Sequence, residues 1–201
     1  SAPNVELVLK QVDVRADLNS VSDLVAIDSR CKNTQMTDST MTATVRATLA
    51  GATLNMTNVS FIDCHIDEAV LAENLAFAVL NLYMRNVTSE AAHLIVMQSV
   101  FNATLTDSAI VASSSRSHLI QFITCSSAAI RNVSVAQSCG GAFTLVDVLM
   151  FELFDIVVDG MWADTGAAFM LTSLPESVLI GAANISVRNV AAVAGAVVFT
   201  D

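Results

Sequence analysis

Apolar residues along this chain come in short bursts separated by Ser, Asn, Asp or Gly, and the bursts recur at a nearly fixed distance. Val45, Val70, Ile95, Ile120, Leu145 and Leu171 each sit in one, at separations of 25, 25, 25, 25 and 26, and Phe199 follows after 28. Met56, Met84, Leu105, Ile130, Ile156 and Val187 form a second series about half a repeat away. The bursts are rich in Val, Ile, Leu, Phe and Thr, which fit a pleated surface. An amphipathic helix would instead need apolar stripes at three- and four-residue spacing over about a dozen positions. Most bursts are too short for that. Residues 67–84, with their Ala, Leu and Glu content, are the exception and could form a helix.

A fixed period of this size is the mark of a solenoid. Each repeat supplies short strands that stack on their equivalents about 4.8 Å away, so like residues form ladders. The pattern predicts an all-β fold, a parallel β-helix of about seven rungs with a repeat near 25 residues. The Val45 series is then one internal aliphatic ladder, with Ile95, Ile120 and Leu145 stacked in consecutive rungs, and the Met56 series faces it. An N-terminal strand segment over 1–20 precedes a β-helix domain over 21–201. Local phrases recur as well: Arg85-Asn86-Val87, Arg131-Asn132-Val133 and Arg188-Asn189-Val190. So do Gly141-Ala142-Phe143, Gly166-Ala167-Ala168-Phe169 and Gly195-Ala196-Val197-Val198-Phe199.

The period, the Asn-bearing turns and the aliphatic ladders resemble the right-handed parallel β-helices of the pectin-lyase-like superfamily. The Arg-Asn-Val-Ser and Gly-Ala-Val-Val-Phe phrasing is similar to repetitive protist surface glycoproteins of the kinetoplastid dispersed gene family type. The resemblance spans about residues 21–201 and rests on architectural motifs. It implies a right-handed solenoid, and for the enzymes of that class it implies carbohydrate cleavage. Hydrolases of the class use clustered Asp with Gly-His-Gly and Arg-Ile-Lys phrases, and lyases use Asp-bound calcium with an Arg or Lys base. Here no His has a Gly neighbour and no Arg-Ile-Lys phrase occurs. Fold likeness alone carries no function.

Composition narrows the classes. The chain is 54% hydrophobic and 14% charged, against roughly 25% charged in an ordinary soluble domain. Nine Lys and Arg face nineteen Asp and Glu, a net charge of −10. That balance excludes an electrostatic nucleic-acid binder, and the apolar content excludes disorder. The greasiest stretches, 69–84 and 178–198, are interrupted by Glu73, Asn74 and Asn81 or by Asn184, Arg188 and Asn189, so no membrane span is expected. The chain begins at Ser1, as a mature or excised piece would.

Six of twelve Asn open an Asn-X-Ser/Thr triplet: Asn55, Asn58, Asn86, Asn102, Asn132 and Asn184. With 36 Ser and Thr in 201 residues, chance gives about two. The excess points to N-glycans on an extracellular or cell-surface protein. A Ser/Thr/Asn-rich solenoid would also generate such triplets by composition. Cys31, Cys64, Cys125 and Cys139 are an even number and would make two disulfides in an oxidising space, with three connectivities open.

Candidate chemistry is sparse. Asp147, Glu152, Asp155, Asp159 and Asp164 gather on one repeat, and paired carboxylates at a suitable separation can cleave a glycoside. Solvent-facing strand positions of an acidic protein are the expected explanation. Asp63-Cys64-His65-Ile66-Asp67-Glu68 is the densest set of metal-capable groups, yet consecutive strand residues point to opposite faces. His93 and His118 lie 25 apart, in the register later held by Phe143 and Phe169, as a corner stack would require. Trp162 could stack on a sugar, although packing beside Met161 is the expected role. No catalytic or metal-binding residue and no cofactor is assigned. The expected function is a non-catalytic extracellular scaffold or adhesion glycoprotein that associates with itself, end to end, through uncapped terminal rungs. The alternative is a carbohydrate-active β-helix hydrolase or lyase, or a degenerate relative of one.

Overall fold

Alternating apolar and polar residues in short runs fold here into strands that each pair with the equivalent strand of the next repeat. The computed structural model describes residues 5–10, 13–14, 25–27, 31–41, 45–47, 52–66, 69–89, 93–163, 167–172, 178–192 and 195–200. The chain opens with β1 (Val5–Lys10), β2 (Asp13–Val14), β3 (Val25–Ile27), β4 (Cys31–Met41) and β5 (Val45–Ala47). It continues with β6 (Thr53–Ile66), β7 (Val70–Glu73), β8 (Ala76–Ser89), β9 (Ile95–Gln98), β10 (Ala103–Val111) and β11 (Ser114–Ile123). The remaining strands are β12 (Ser127–Ala136), β13 (Cys139–Val146), β14 (Met150–Ala163), β15 (Ala167–Thr172), β16 (Val178–Ala192) and β17 (Gly195–Thr200).

Among the described residues every pairing is parallel, and all strands but β2, which pairs with β4, fall into two stacks. One runs β1, β4, β6, β8, β10, β12, β14, β16. The other runs β3, β5, β7, β9, β11, β13, β15, β17. The result is an all-β parallel solenoid with a repeat of about 25 residues and about five turns, fewer than the seven expected from the period. Residues 70–73 and 76–84 are strand, not helix, because Asn74 and Asn81 turn the backbone left-handed at φ 58 and 57.

Left-handed residues build the corners. Among the described residues, all sixteen non-glycine residues with positive φ fall into three columns that run up the coil. Asp38, Asn58, Asn81, Asp107, Asn132, Asp155 and Asn184 make the first, and Asp63, Asn86, Ala112, Gln137 and Asn189 the second, with Gly160 at φ 67 between the last two. Asn74, Ser99, Thr124 and Asp147 make the third. Asn and Asp tolerate this conformation best among residues with a Cβ, and here they hold most of the corners.

Inside the coil, apolar residues from successive rungs touch in ladders and are fully buried, Phe61, Phe77, Phe122 and Phe143 among the largest. Ile95 and Ile120 stack as expected, but the next partner is Phe143, and Leu145 instead meets Phe122. The cause is a bulge in β11. Ser114 pairs with Cys139, whereas His118 pairs with Gly141, so residues 115–117 loop out and the register slips by two. His118 therefore does not share a register with Phe143. Phe143 stacks on Phe169 at 5.2 Å between ring centroids. The Met56 series also divides: Met56 continues through Val79, while Met84 belongs to the ladder of Phe61 and Ile110.

Among the described residues, serines just past a corner make up half of the buried polar side chains. Ser39, Ser108, Ser113 and Ser138 each follow a left-handed residue and donate their hydroxyl to the carbonyl two residues back at 2.8–2.9 Å. Ser108 and Ser113 accept the Leu82 and Val87 amides from the neighbouring rung, each at 3.2 Å, and Ser138 accepts that of Ser113 at 3.3 Å. A buried hydroxyl with both roles filled costs little.

Candidate functional site

The corner columns bring the sequence's Asn and Asp residues together, rung upon rung, on the outside of the coil. Asn58 donates from Nδ2 to Asp38 Oδ1 at 2.8 Å, and Asn81 donates to Asn58 Oδ1 at 2.8 Å. Asn132 reaches Asp107 at 2.6 Å and Asn184 reaches Asp155 at 2.7 Å. In the second column Asn86 bonds Asp63 at 3.1 Å, and Asn189 bonds Asp159, the residue before Gly160, at 2.7 Å. The Asn residues of the three Arg-Asn-Val phrases thus face outward and form ladder bonds there.

The Arg of each phrase joins the same chemistry. Arg85 lies 3.7 Å from Asp63 and Arg188 lies 3.2 Å from Asp159, each carboxylate being the one its neighbouring Asn engages. Arg131 pairs with Glu152 on the next rung. The phrase occurs at two different corners, however, with Asn132 on the first column and Asn86 and Asn189 on the second. These ion pairs are solvated, so they contribute little individually.

Of the six glycosylation candidates, all are exposed, but they differ in surroundings. Asn58, Asn86, Asn132 and Asn184 use Nδ2, the atom that would carry a glycan, in the ladders. Asn55 lies mid-strand in β6 and Asn102 lies in the turn before β10, and neither belongs to a corner column.

The acidic residues gathered around β14 do not converge. Asp155 sits at the first corner, Asp159 beside the second and Asp147 at the third, while Glu152 lies on β14. Asp164 lies outside the described residues. Asp155 and Asp159 are engaged by the Asn ladder and Glu152 by Arg131. Along 63–65, Asp63 and His65 are exposed and Cys64 is buried, so the three point apart; Asp67 and Glu68 lie outside the described residues. Among the described residues no group of three or more His, Cys, Asp and Glu side chains could hold a metal.

Cys64, Cys125 and Cys139 are free thiols, so the expected disulfides do not form among them. Geometry explains this. Cys64 and Cys139 are three rungs apart, roughly 14 Å at the usual strand spacing, and a disulfide needs Cα atoms within about 7 Å. Cys125 lies past the third corner, after Thr124, and its thiol contacts the Ile123 and Met97 carbonyls at 3.5 Å, much as the buried serines do. Cys64 follows Asp63 at the second corner in the same way. Burial, with a smaller push from the Asp63 carboxylate, raises the Cys64 thiol to about 11. Burial also raises Cys125. The backbone of Cys31 starts β4, and its side chain lies outside the described residues.

His93 donates from Nδ1 to the His118 carbonyl at 2.8 Å, one rung away. Burial lowers the pKa of His93, opposed by that hydrogen bond. His118 is buried beside Ser117, whose Oγ is 3.1 Å from Nδ1. Trp162 does not pack inward beside Met161. It is 61% exposed, while Met161 is buried. Gln137, which no sequence motif singles out, occupies the second corner between Ala112 and Gly160. Its local signal is the serine that follows: Gln137-Ser138 repeats the corner-then-serine pattern of Asp107-Ser108.

No helix among the described residues is long and apolar enough to cross a membrane. Compared with protein-family models, with curated proteins and with solved structures, the chain matches none.

Proposed function

We propose that this chain is a non-catalytic shaft of an extracellular or cell-surface glycoprotein, assembling end to end with further copies of itself. The likeness to pectin-lyase-like solenoids and to repetitive protist surface glycoproteins belongs to the same proposal. Ile185 carries it. On β16, Ile185 occupies the register of Ile156 on β14, yet Ile156 is fully buried and Ile185 is 41% exposed. Ala182 and Ala183 on the same strand are exposed too. Among the described residues, β16 pairs along one edge with β14 and β1 along one edge with β4. A parallel strand of another copy, laid on β16, would cover this apolar face and extend the ladders. Such contacts are heterologous, and when they do not close into a ring they build filaments. The acidic exterior and the six Asn-X-Ser/Thr triplets support a coat that hinders side-by-side clumping.

Sedimentation over a concentration series tests the assembly. Growth in mass with concentration, abolished by Ile185→Asp without loss of the circular-dichroism strand signal, is the expected result. A monomer at every concentration would overturn end-to-end stacking. Intact mass before and after glycosidase treatment of the protein made in a secreting cell tests the glycoprotein half, and an unchanged mass would remove it.

A further inference from the structure

The second corner column is broken in its middle. Asn86 below and Asn189 above direct their amides to Asp63 and Asp159. Between them stand Ala112, Gln137 and Gly160. Ala112 and Gly160 have no polar side chain to offer, so no ladder bond reaches the exposed carboxamide of Gln137. Gly160 matters in particular. A Cβ there would lie 3.6 Å from the Gln137 nitrogen and 3.8 Å from its Cγ, so any larger side chain would stand over Gln137.

This break opens into a groove of about 600 Å³ that crosses four successive rungs beside the corner. Trp162 lines it, in register with Cys139 on one side and Ala191 on the other. Both neighbours are small, which leaves the indole uncovered. The volume falls within the about 300–1,000 Å³ usual for ligand sites. Every lining residue is uncharged: aromatic and apolar surface alternates with the Gln137 and Asn189 amides and the Ser114 hydroxyl.

We propose that this groove binds a neutral saccharide, with a pyranose ring laid on Trp162 and its hydroxyls bonded by Gln137. A pyranose presents one face of C–H groups, which an aromatic ring accepts, and an edge of hydroxyls that both donate and accept. A carboxamide offers one acceptor and two donors, which matches such an edge. A phosphate, sulfate or uronate would call for a cation, and none lines the groove. An extended peptide would need an open sheet edge to pair with. β13 and β14 are paired on both sides, so none is offered here. A shaft can carry this groove whether or not its ends stack.

Trp162 is the single tryptophan, so its fluorescence reports on this place alone. The probes are hexasaccharides of glucose, mannose, galactose and N-acetylglucosamine, with a galacturonate hexasaccharide as the anionic comparison. At least one neutral probe is expected to shift the emission saturably, with the galacturonate probe inert. By titration calorimetry Trp162→Ala should lose this binding and Gln137→Ala should weaken it about tenfold. Gly160→Asn supplies a residue that accepts the left-handed corner and covers Gln137, so it should lose binding while melting near the parent temperature. No saturable response to any neutral probe overturns the proposal. So does a Trp162→Ala protein that binds as tightly as the parent, or a galacturonate probe that binds as well as the neutral ones.

Discussion

The side-chain amide of Asn132 donates from Nδ2 to Asp107 Oδ1 at 2.6 Å, across one rung and 25 residues of sequence. Both residues are exposed and both hold the backbone left-handed, at φ 51. The bond thus ties successive corners together at the surface, with a charged acceptor that strengthens it.

Asn132→Ala should cost about 1 kcal/mol of stability, from the lost bond and a poorer left-handed residue. Asn132→Asp should cost more near neutral pH, because it sets two carboxylates against each other. Repulsion raises the folded pair's pKa above the unfolded value of about 4. The extra loss is therefore full above that raised pKa and fades as pH falls from it toward about 4. Urea melts of both variants at neutral and acid pH check this, and an Asp variant as stable as the Ala variant near neutrality would refute it.

Gly140 carries a different kind of constraint. It sits at φ 105, and a Cβ there would meet Ser115 Oγ at 2.7 Å, the Ser117 carbonyl at 2.8 Å and the Ser115 carbonyl at 3.0 Å. The bulge at 115–117 packs directly on this glycine, and backbone carbonyls cannot step aside as a side chain tip can. Gly140→Ala should destabilise the chain by about 2 kcal/mol or more, from strain and overlap together. Thermal melting would then show a drop of about 4–8 °C for a chain of this size. Gly160→Ala, with its nearest contact at 3.6 Å, should cost less than Gly140→Ala.

The thiols should separate by reactivity. Thiolate is the attacking form, and Cys64 ionises only near 11 because it is buried and lies next to Asp63. Cys139 is half-buried on the wall of the groove. In the folded chain near neutral pH, an alkylating reagent should modify Cys139 before Cys64 and Cys125, as read by peptide mass mapping. Cys64 should react in the folded state only as pH rises toward 11, and Cys125 mainly after unfolding. Equal labelling of Cys64 and Cys139 near neutrality would contradict the burial described for Cys64.

How much of this was legible depended on what each feature needs. The 25-residue period was readable because Val45, Val70, Ile95 and Ile120 occupy equivalent places on β5, β7, β9 and β11. Leu145 misled because the rung keeps its length while β11 bulges. Ser114 to Cys139 is still 25 residues, so an even spacing concealed the slip of two. Corner residues were half visible, since Ala112, Thr124 and Gln137 take the left-handed place that Asn or Asp holds elsewhere. The exposure of Trp162 was hidden entirely. It depends on Cys139 and Ala191 being its neighbours, 23 residues before and 29 after, and unequal repeats obscure that match.

Ile156 and Ile185 offer the sharpest comparison, because the same side chain occupies the same ladder in neighbouring rungs. Ile156 is enclosed by Val133 on β12 and Ile185 on β16, with no exposure. Truncating it to Ala leaves a cavity and should cost about 2–5 kcal/mol. Ile185 keeps 41% of its surface, so Ile185→Ala should cost well under half as much in a dilute sample. At high concentration the order should change if copies stack on β16. The parent would then gain stability by mass action, whereas Ile185→Ala would lose contact area in the stacked form and gain less. Denaturant melts at low and high protein concentration for the parent and both variants check this. A parent midpoint that stays constant with concentration would leave Ile185 a solvent-facing residue and deny the stacking. An Ile156→Ala protein as stable as the parent would refute the ladder itself.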